Sequence, residues 1–109
     1  MRIFKQPLPG NDVSLPFVQI SMITRTVTIR NRAGLHTRPA AALVKTAARF
    51  QSEFTLIKDD FEINGKSIIG VMTLAAEQGS TLELKFEGPD EGEAAAAVVD
   101  LFERGFGEE

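Results

Sequence analysis

The sequence predicts an α+β fold in which helices cover one face of a single four-stranded sheet. Four short segments alternate apolar and polar residues, which is typical of strands that are buried on one side only. Between and after them lie segments whose apolar residues recur at helical spacing. The resulting order is β-α-β-β-α-β-α, and a chain of 109 residues suits one domain. Because each strand has one apolar face, we expect the helices to pack there.

The first strand and the first helix flank a loop that contains a glycine. Val27 and Ile29 alternate with polar residues, so ordered structure is expected to begin near residue 24. Residues 31–35 form the loop, and residues 37–50 are predicted to be helical. Pro39 fits the first helical turn, where its missing N–H costs nothing. The apolar stripe of this helix comprises Leu43, Ala47 and Phe50.

A hairpin and a short helix are predicted next. Residues 54–58 and 61–63 read as two strands joined by a turn at Asp59 and Asp60. Residues 68–74 form a short apolar segment that is predicted to be a helix. Ser67 precedes this segment and is expected to be its N-cap, which contributes about 1 kcal/mol.

The last strand and the last helix complete the pattern. Residues 81–87 alternate cleanly and place Leu82, Leu84 and Phe86 on one face. Asp90 and Glu93 have the spacing of a capping box, so a helix is expected to begin there. The apolar stripe of that helix comprises Ala95, Val98, Val99, Phe102 and Phe106.

Residues 1–22 form a separate unit, and the folded domain spans residues 23–109. The first segment contains three prolines and shows no clear hydrophobic period, so an irregular extension is predicted. Met22 is an alternative start of the protein, in which case residues 1–21 would not be translated. The other alternative is a real tail of unassigned function.

Composition excludes several classes of function. The chain has no cysteine and one histidine, so thiolate chemistry and sites with several histidines are excluded, whereas an all-carboxylate metal site stays open. No cofactor is expected. There is no apolar run of membrane-spanning length and no secretion signal, so we expect a cytoplasmic protein without membrane insertion. The net charge of −3 gives no general reason to bind nucleic acid.

The charge is distributed unevenly along the chain. Residues 24–52 contain six basic residues and no acidic one, whereas residues 87–109 contain eight acidic residues and one basic. Two interpretations stay open. Both segments could be ordinary solvated faces, or the basic segment could surround a site for phosphate or for an acidic partner.

His36 lies where the glycine-containing loop meets the first helix. A lone histidine is more often a surface or packing residue. Its position favours a functional role, because the first N–H groups of a helix attract anions. A phosphoryl group on His36 would accept hydrogen bonds from the backbone N–H groups of Thr37 and Arg38, and the Arg38 guanidinium would add a charge-assisted pair. Neutral imidazole is a nucleophile near neutral pH.

Two motifs carry a family resemblance. The heptapeptide GLHTRPA at residues 34–40 resembles the active-site signature of HPr, the histidine-containing phosphocarrier family of the sugar phosphotransferase system. The heptapeptide KSIIGVM at residues 66–72 resembles the second signature of that family, around its regulatory serine. The resemblance covers residues 23–106. It implies an open-faced β-sandwich, with a four-stranded antiparallel sheet under three helices.

The resemblance implies a carrier rather than an enzyme with its own turnover. His36 would receive a phosphoryl group on Nδ1 from enzyme I, which is charged by phosphoenolpyruvate, and pass it to a sugar-specific enzyme IIA. Arg38 matches the arginine that stabilises the phosphohistidine. Thr37 stands where alanine is frequent, but it keeps the backbone N–H that would bind phosphate.

The same resemblance implies a regulatory site at Ser67, which matches the serine that HPr kinase/phosphorylase modifies in regulated members. A phosphate would add about −2 charge and still suit a helix N-terminus. It would weaken attraction to an acidic site on enzyme I. In such members, the serine-phosphorylated form also binds a catabolite control repressor.

A docking surface is expected beside the histidine. A short helix with almost no polar residue cannot bury every side chain, so part of it is expected to form an exposed apolar patch. The candidates are Ile68, Ile69 and Met72, of which some are expected to be core and the others to form the patch that contacts partners. The expected basic rim comprises Thr37, Arg38, Lys45 and Arg49. We expect the protein to act as a monomer.

Two hypotheses about function follow. In the first, the protein is a phosphocarrier with His36 as the acceptor. In the second, it is mainly a regulatory HPr-like module that acts through Ser67 in an incomplete phosphotransferase system. The sequence contains neither a glycine-rich nucleotide loop nor a convergent acid–base set, so a stand-alone enzyme is disfavoured.

Overall fold

The computed structural model describes residues 22–108 of the chain. Within this range the strands are β1 (Ile23–Thr28), β2 (Glu53–Lys58), β3 (Phe61–Asn64) and β4 (Thr81–Glu87). The helices are α1 (Thr37–Ala47), α2 (Ile68–Thr73) and α3 (Glu91–Glu103), and a 3₁₀ turn at Gly105–Gly107 follows the last of them. The predicted element order is confirmed, and the 3₁₀ turn is an addition to it.

The strands described above form one antiparallel sheet in the order β1-β4-β2-β3. In β4 the side chains of Leu82, Leu84 and Phe86 are fully buried, as the alternation predicts. The register places Phe54 of β2 opposite Phe86, and their rings stack with centroids 4.7 Å apart. The sheet therefore has one apolar face that needs a covering layer.

The helices supply that layer. The core combines the buried face of the sheet with side chains from each helix, among them Leu43 of α1, Val71 of α2, and Val98 and Phe102 of α3. The fold is the expected open-faced β-sandwich, an antiparallel sheet covered on one face by helices. Among the helices of residues 22–108, none is both long enough and apolar enough to cross a membrane.

Helix α1 is shorter than predicted, because it ends at Ala47 rather than at Phe50. The chain tightens after Ala47, where the N–H groups of Arg49 and Phe50 bond to carbonyls three residues back. Phe50 still packs against the core, and its carbonyl accepts a hydrogen bond from Lys66 Nζ at 2.7 Å. The apolar spacing was therefore correct about burial and wrong about the helix end.

The capping box predicted at the start of α3 is wrong. Asp90 is the N-cap residue, but its side chain makes no capping hydrogen bond. Its carboxylate instead accepts hydrogen bonds from the backbone N–H groups of Gln51 and Ser52 and from the Ser52 hydroxyl. Glu91, rather than Glu93, reaches back to a backbone N–H, that of Gly88, at 3.0 Å. The carboxylate that the local spacing predicts to cap the helix therefore makes a tertiary contact instead.

The apolar stripe of α3 is also broader than predicted and shorter at its end. Ala94 and Leu101 are buried although they stand outside the predicted stripe. Phe106 lies beyond the helix in the 3₁₀ turn, where its φ of 58° breaks the helical path. Its ring nevertheless packs edge-on against Phe102 at 4.9 Å. Residues 1–21 of the irregular extension predicted for residues 1–22 lie outside the described residues.

Candidate functional site

The loop between β1 and α1 is held against the segment that follows α2. The Leu35 N–H donates to the carbonyl of Ala76 at 2.9 Å. Gly34 has a φ of +76°, and a Cβ at this position would lie 2.4 Å from the Ala76 oxygen. Only glycine allows so close an approach together with this backbone conformation. This close contact fixes the position of the residue that begins the helix.

His36 is the N-cap of α1, as its place in the sequence predicts. Its backbone is extended, with φ −89° and ψ −167°, and its carbonyl accepts the Ala40 N–H at 2.9 Å. The imidazole makes no capping bond, and 42% of the side chain is exposed. A ring in this position is reachable by a partner protein.

Two backbone donors follow the histidine. Thr37 and Arg38 are the first two residues of the helix. The carbonyls four residues before them lie outside the helix, so their N–H groups have no acceptor within it. Pro39 has no N–H, and Ala40 already donates to His36. The helix start therefore offers two N–H groups and a partial positive charge to an anion beside the ring.

The C-terminal segment contributes a residue that the sequence analysis missed. Glu108 Oε1 lies 3.1 Å from Nε2 of His36 and 3.2 Å from Nδ2 of Asn31. The hydrogen bond with His36 is the largest cause that holds the pKa of Glu108 below its usual 4.5. The bond from Asn31 and the charges of His36 and Arg38 act in the same direction, and burial opposes them. No local sequence signal could have found this contact, because it joins residues 72 positions apart.

Thr37 and Arg38 are both exposed at the start of α1. The Thr37 hydroxyl lies 4.0 Å from the sulfur of Met72 in α2. The positive charge of Arg38 helps to lower the pKa of Glu108, so the guanidinium and the carboxylate interact electrostatically. The structure therefore brings the two signature segments of the sequence together at one surface.

The expected apolar patch is present on α2. Val71 is fully buried and anchors the helix, whereas Ile68, Ile69 and Met72 are exposed. Ile69 is 74% exposed, which is unusual for a side chain of its size. The patch touches the histidine site through Met72 and Thr37.

Lys45 and Arg49, which are predicted to contribute to the basic rim, are both exposed. Lys45 lies in the last turn of α1, where its charge suits the helix C-terminus. Arg49 lies after the helix end, and its guanidinium stands 5.3 Å from the centre of the Phe50 ring. Thr37 and Arg38, the other residues of the expected basic rim, are exposed as well.

Ser67 is the N-cap of α2, and its Oγ accepts the Gly70 N–H at 3.1 Å. The capping prediction is confirmed. The side chain is partly exposed, so its hydroxyl lies near the surface that carries the apolar patch. Among residues 22–108 there is no group of three or more acidic or histidine side chains that could hold a metal ion.

Comparison with known proteins identifies the family. Residues 23–104 match the family model described as the PTS HPr component phosphorylation site. The phosphocarrier protein HPr of Treponema pallidum is 51% identical over 88 residues, which cover 81% of this chain and all of that protein. The chain belongs to the HPr family. The resemblance inferred from the two motifs is therefore confirmed, and with it a phosphocarrier role in the phosphotransferase system.

One solved structure and one further relative are also similar to this chain. A crystal structure of HPr from Thermoanaerobacter tengcongensis superposes with a TM-score of 0.77 at 48% identity, covering 80% of this chain and 98% of that one. The HPr-like protein Crh of Halalkalibacterium halodurans is 43% identical over 76% of this chain and 99% of that protein. The chain is thus similar both to HPr phosphocarriers and to an HPr-like protein.

Proposed function

We propose that His36 accepts a phosphoryl group from enzyme I and passes it to a sugar-specific enzyme IIA. The observation that carries this proposal is the position of the ring. It is exposed at the N-cap of α1, beside the unpaired start of the helix backbone. An imidazole there combines a nucleophilic nitrogen with donors suited to three phosphate oxygens.

The chemistry requires one nitrogen of the ring to be available to phosphorus. Glu108 contacts Nε2, which leaves Nδ1 as the nucleophile. The lone pair of Nδ1 attacks phosphorus, and the bond from phosphorus to the donor breaks as its electron pair leaves with the donor. The N–H groups of Thr37 and Arg38 then bind the phosphoryl oxygens, and the Arg38 guanidinium balances their charge. In the transfer to enzyme IIA, a nucleophile of that enzyme attacks phosphorus, and the Nδ1–phosphorus bond breaks with its electron pair returning to Nδ1 of His36.

The surface around His36 would form the docking site for both enzymes. Ile68, Ile69 and Met72 provide apolar contact area, and the methionine adapts to partners of different shape. The cations of the basic rim, Arg38, Lys45 and Arg49, would attract an acidic partner surface. A carrier that exchanges partners needs one accessible face, so we propose that the protein acts as a monomer.

The carrier role is tested by incubating the protein with phosphoenolpyruvate and enzyme I, followed by mass spectrometry. We expect the wild type to gain one phosphate that is lost in acid, and His36→Ala to gain none. Gln78→Ala, at an exposed loop position, is a control that should gain phosphate like the wild type. A wild type that stays unmodified with a competent enzyme I would contradict the proposal.

A regulatory role for Ser67 is the second part of the proposal. The likeness to Crh supports it, as do the N-cap position and the adjacent apolar patch. A phosphate on Ser67 would place negative charge on the docking surface and oppose binding of enzyme I. HPr kinase/phosphorylase would supply the phosphate, and a catabolite control repressor would bind the modified form.

The serine role has its own test. With the cognate kinase and ATP, we expect an acid-stable phosphate on the wild type that is absent from Ser67→Ala. Ser80→Ala is the matched control, because Ser80 also accepts a backbone N–H but lies outside the motif. If the kinase leaves the wild type unmodified, the regulatory role is wrong and the carrier role stands alone. Serine phosphate without histidine phosphate would instead favour a purely regulatory protein.

A further inference from the structure

We infer that Glu108, held in place by Asn31, is a positioning residue that keeps the proton of His36 on Nε2 and so presents Nδ1 to phosphorus. The inference rests on the proposed carrier function and adds two residues to it. Its starting point is one carboxylate oxygen, Oε1 of Glu108, that faces both the imidazole Nε2 and the Asn31 amide.

Asn31 is the buried element of this arrangement. Only 1% of the residue is exposed, and its Nδ2 donates to the Gly34 carbonyl at 2.8 Å and to Glu108 Oε1 at 3.2 Å. Both neighbours are oxygen acceptors, so the amide nitrogen rather than the amide oxygen must face them. One side chain thus ties the C-terminal carboxylate to the loop that carries His36.

The backbone after α3 returns Glu108 to this loop. Phe106 adopts a positive φ of 58° and packs against Phe102, which turns the chain back over the end of the helix. The Glu108 N–H then donates to the Gly105 carbonyl at 2.9 Å. Gly105 in turn lies beside Asn31, since a Cβ on it would stand 3.7 Å from the Asn31 Cβ. The Glu108 side chain is only 16% exposed, and its carboxylate is held at the site.

The chemical consequence concerns the tautomer of His36. An ionised carboxylate only accepts hydrogen bonds, so Nε2 must carry the hydrogen that joins the two groups. In the neutral ring, the lone pair then lies on Nδ1. When the Nδ1–phosphorus bond forms, the proton stays on Nε2 and the ring becomes positively charged. Glu108 balances that charge without touching the phosphoryl group.

Three variants separate this role from a general effect of charge. Glu108→Ala removes the acceptor, and we expect phosphoryl transfer from enzyme I to slow about fivefold, the effect of one hydrogen bond. Glu108→Gln keeps an uncharged acceptor oxygen and should recover part of the rate. Glu103→Ala removes an exposed glutamate from the end of α3 and should leave the rate unchanged.

A spectroscopic measurement reads the tautomer directly. The chain has one histidine, so a long-range ¹H–¹⁵N spectrum of the ring contains one set of signals. We expect the Nε2–H form in the wild type, with a ring N–H proton that exchanges slowly with water. Glu108→Ala should show both tautomers and fast exchange, whereas Glu108→Gln and Glu103→Ala should keep the wild-type pattern.

The part played by Asn31 is tested in the background of Glu108→Ala. If Asn31 acts through Glu108, adding Asn31→Ala should slow transfer no further, although Asn31→Ala alone should slow it. Circular dichroism of each variant checks that the fold is kept, and the ring spectrum of Glu108→Ala alone decides the matter if the Asn31 variants unfold.

The outcomes distinguish this inference from the carrier function. A Glu108→Ala protein with the wild-type ring spectrum and the wild-type transfer rate would overturn the role of Glu108 and leave the carrier function intact. A wild type that accepts no phosphate from a competent enzyme I would contradict the carrier function and, with it, the use of the tautomer proposed above.

Discussion

The carboxylate of Asp90 accepts hydrogen bonds from both the backbone N–H and the hydroxyl of Ser52, at 2.9 and 2.5 Å. This contact joins the start of α3 to the residue before β2. Ser52 is buried, so the carboxylate satisfies donors that would otherwise lose their hydrogen bonds to water. The Gln51 N–H adds a third bond at 2.9 Å.

Asp90→Asn should lower the urea midpoint of unfolding at neutral pH. An asparagine has one acceptor oxygen, and its NH₂ group would face an N–H donor. Asp60→Asn, at the exposed turn between β2 and β3, is the matched control and should leave the midpoint unchanged. Equal midpoints for Asp90→Asn and the wild type would show that the contact adds nothing to stability.

The same contact has a defined pH dependence. The hydrogen bond from Ser52 is the main cause that holds the pKa of Asp90 below its ordinary 3.8. A lowered pKa in the folded state means that the stabilisation is complete above pH 3.8 and is lost as the pH falls through the folded-state value. The difference in urea midpoint between the wild type and Asp90→Asn should therefore be constant near neutrality and shrink in acid. A difference that grows in acid would contradict the assignment.

Gly34→Ala should destabilise the protein strongly, because its Cβ would lie 2.4 Å from the Ala76 carbonyl oxygen. Gly79→Ala is a matched control, since Gly79 also has a positive φ but nothing within 4 Å of its Cβ position. We expect both variants to show the backbone cost of about 1–2 kcal/mol. Gly34→Ala should lose at least about 2 kcal/mol more, through the clash. Equal unfolding free energies of the two variants would show that the loop relaxes without cost.

Substitutions at Ser67 should separate its cap from its proposed regulation. Ser67→Ala removes the acceptor for the Gly70 N–H and should cost about 1 kcal/mol in unfolding free energy. Ser67→Asp keeps an acceptor at the helix start, so it should retain stability while slowing transfer from enzyme I. Thermal unfolding and the transfer rate measure the two effects. A fast Ser67→Asp protein would argue that negative charge at this position does not disturb docking.

Ile69→Ser should weaken binding of enzyme I with little change in stability, because the side chain is already 74% exposed. Phe61→Ser removes a comparably exposed apolar side chain, at 72%, from the β2–β3 hairpin. Titration calorimetry with enzyme I should show weaker binding for Ile69→Ser and wild-type binding for Phe61→Ser. If both variants bind like the wild type, α2 does not form the docking surface.

The parts of the fold that the sequence predicted are those encoded by local periodicity. Strand β4 was predicted with its observed bounds because its apolar residues alternate with polar ones without interruption. In the structure every one of these apolar residues is buried. The Ser67 cap was also predicted correctly, since its Oγ accepts a backbone N–H only three residues further along the chain. Local pattern and tertiary structure agree at these places.

The predictions from sequence are wrong or incomplete where a tertiary contact determines what a side chain does. Asp90 had the spacing of a local cap, but the donors of Gln51 and Ser52 satisfy its carboxylate instead. Glu108 looked like part of an acidic segment, and only the turn after α3 brings it to His36. The candidate site was therefore predictable at His36, Thr37 and Arg38, which are adjacent in the chain. Its Glu108 and Asn31 component was not.

The central claim is that phosphorus is carried on Nδ1 of His36. The most direct measurement is the long-range ¹H–¹⁵N spectrum of the protein after reaction with phosphoenolpyruvate and enzyme I. We expect phosphorus coupling on Nδ1 and a hydrogen retained on Nε2. Phosphorus on Nε2, or phosphate on a residue other than His36, would contradict the account.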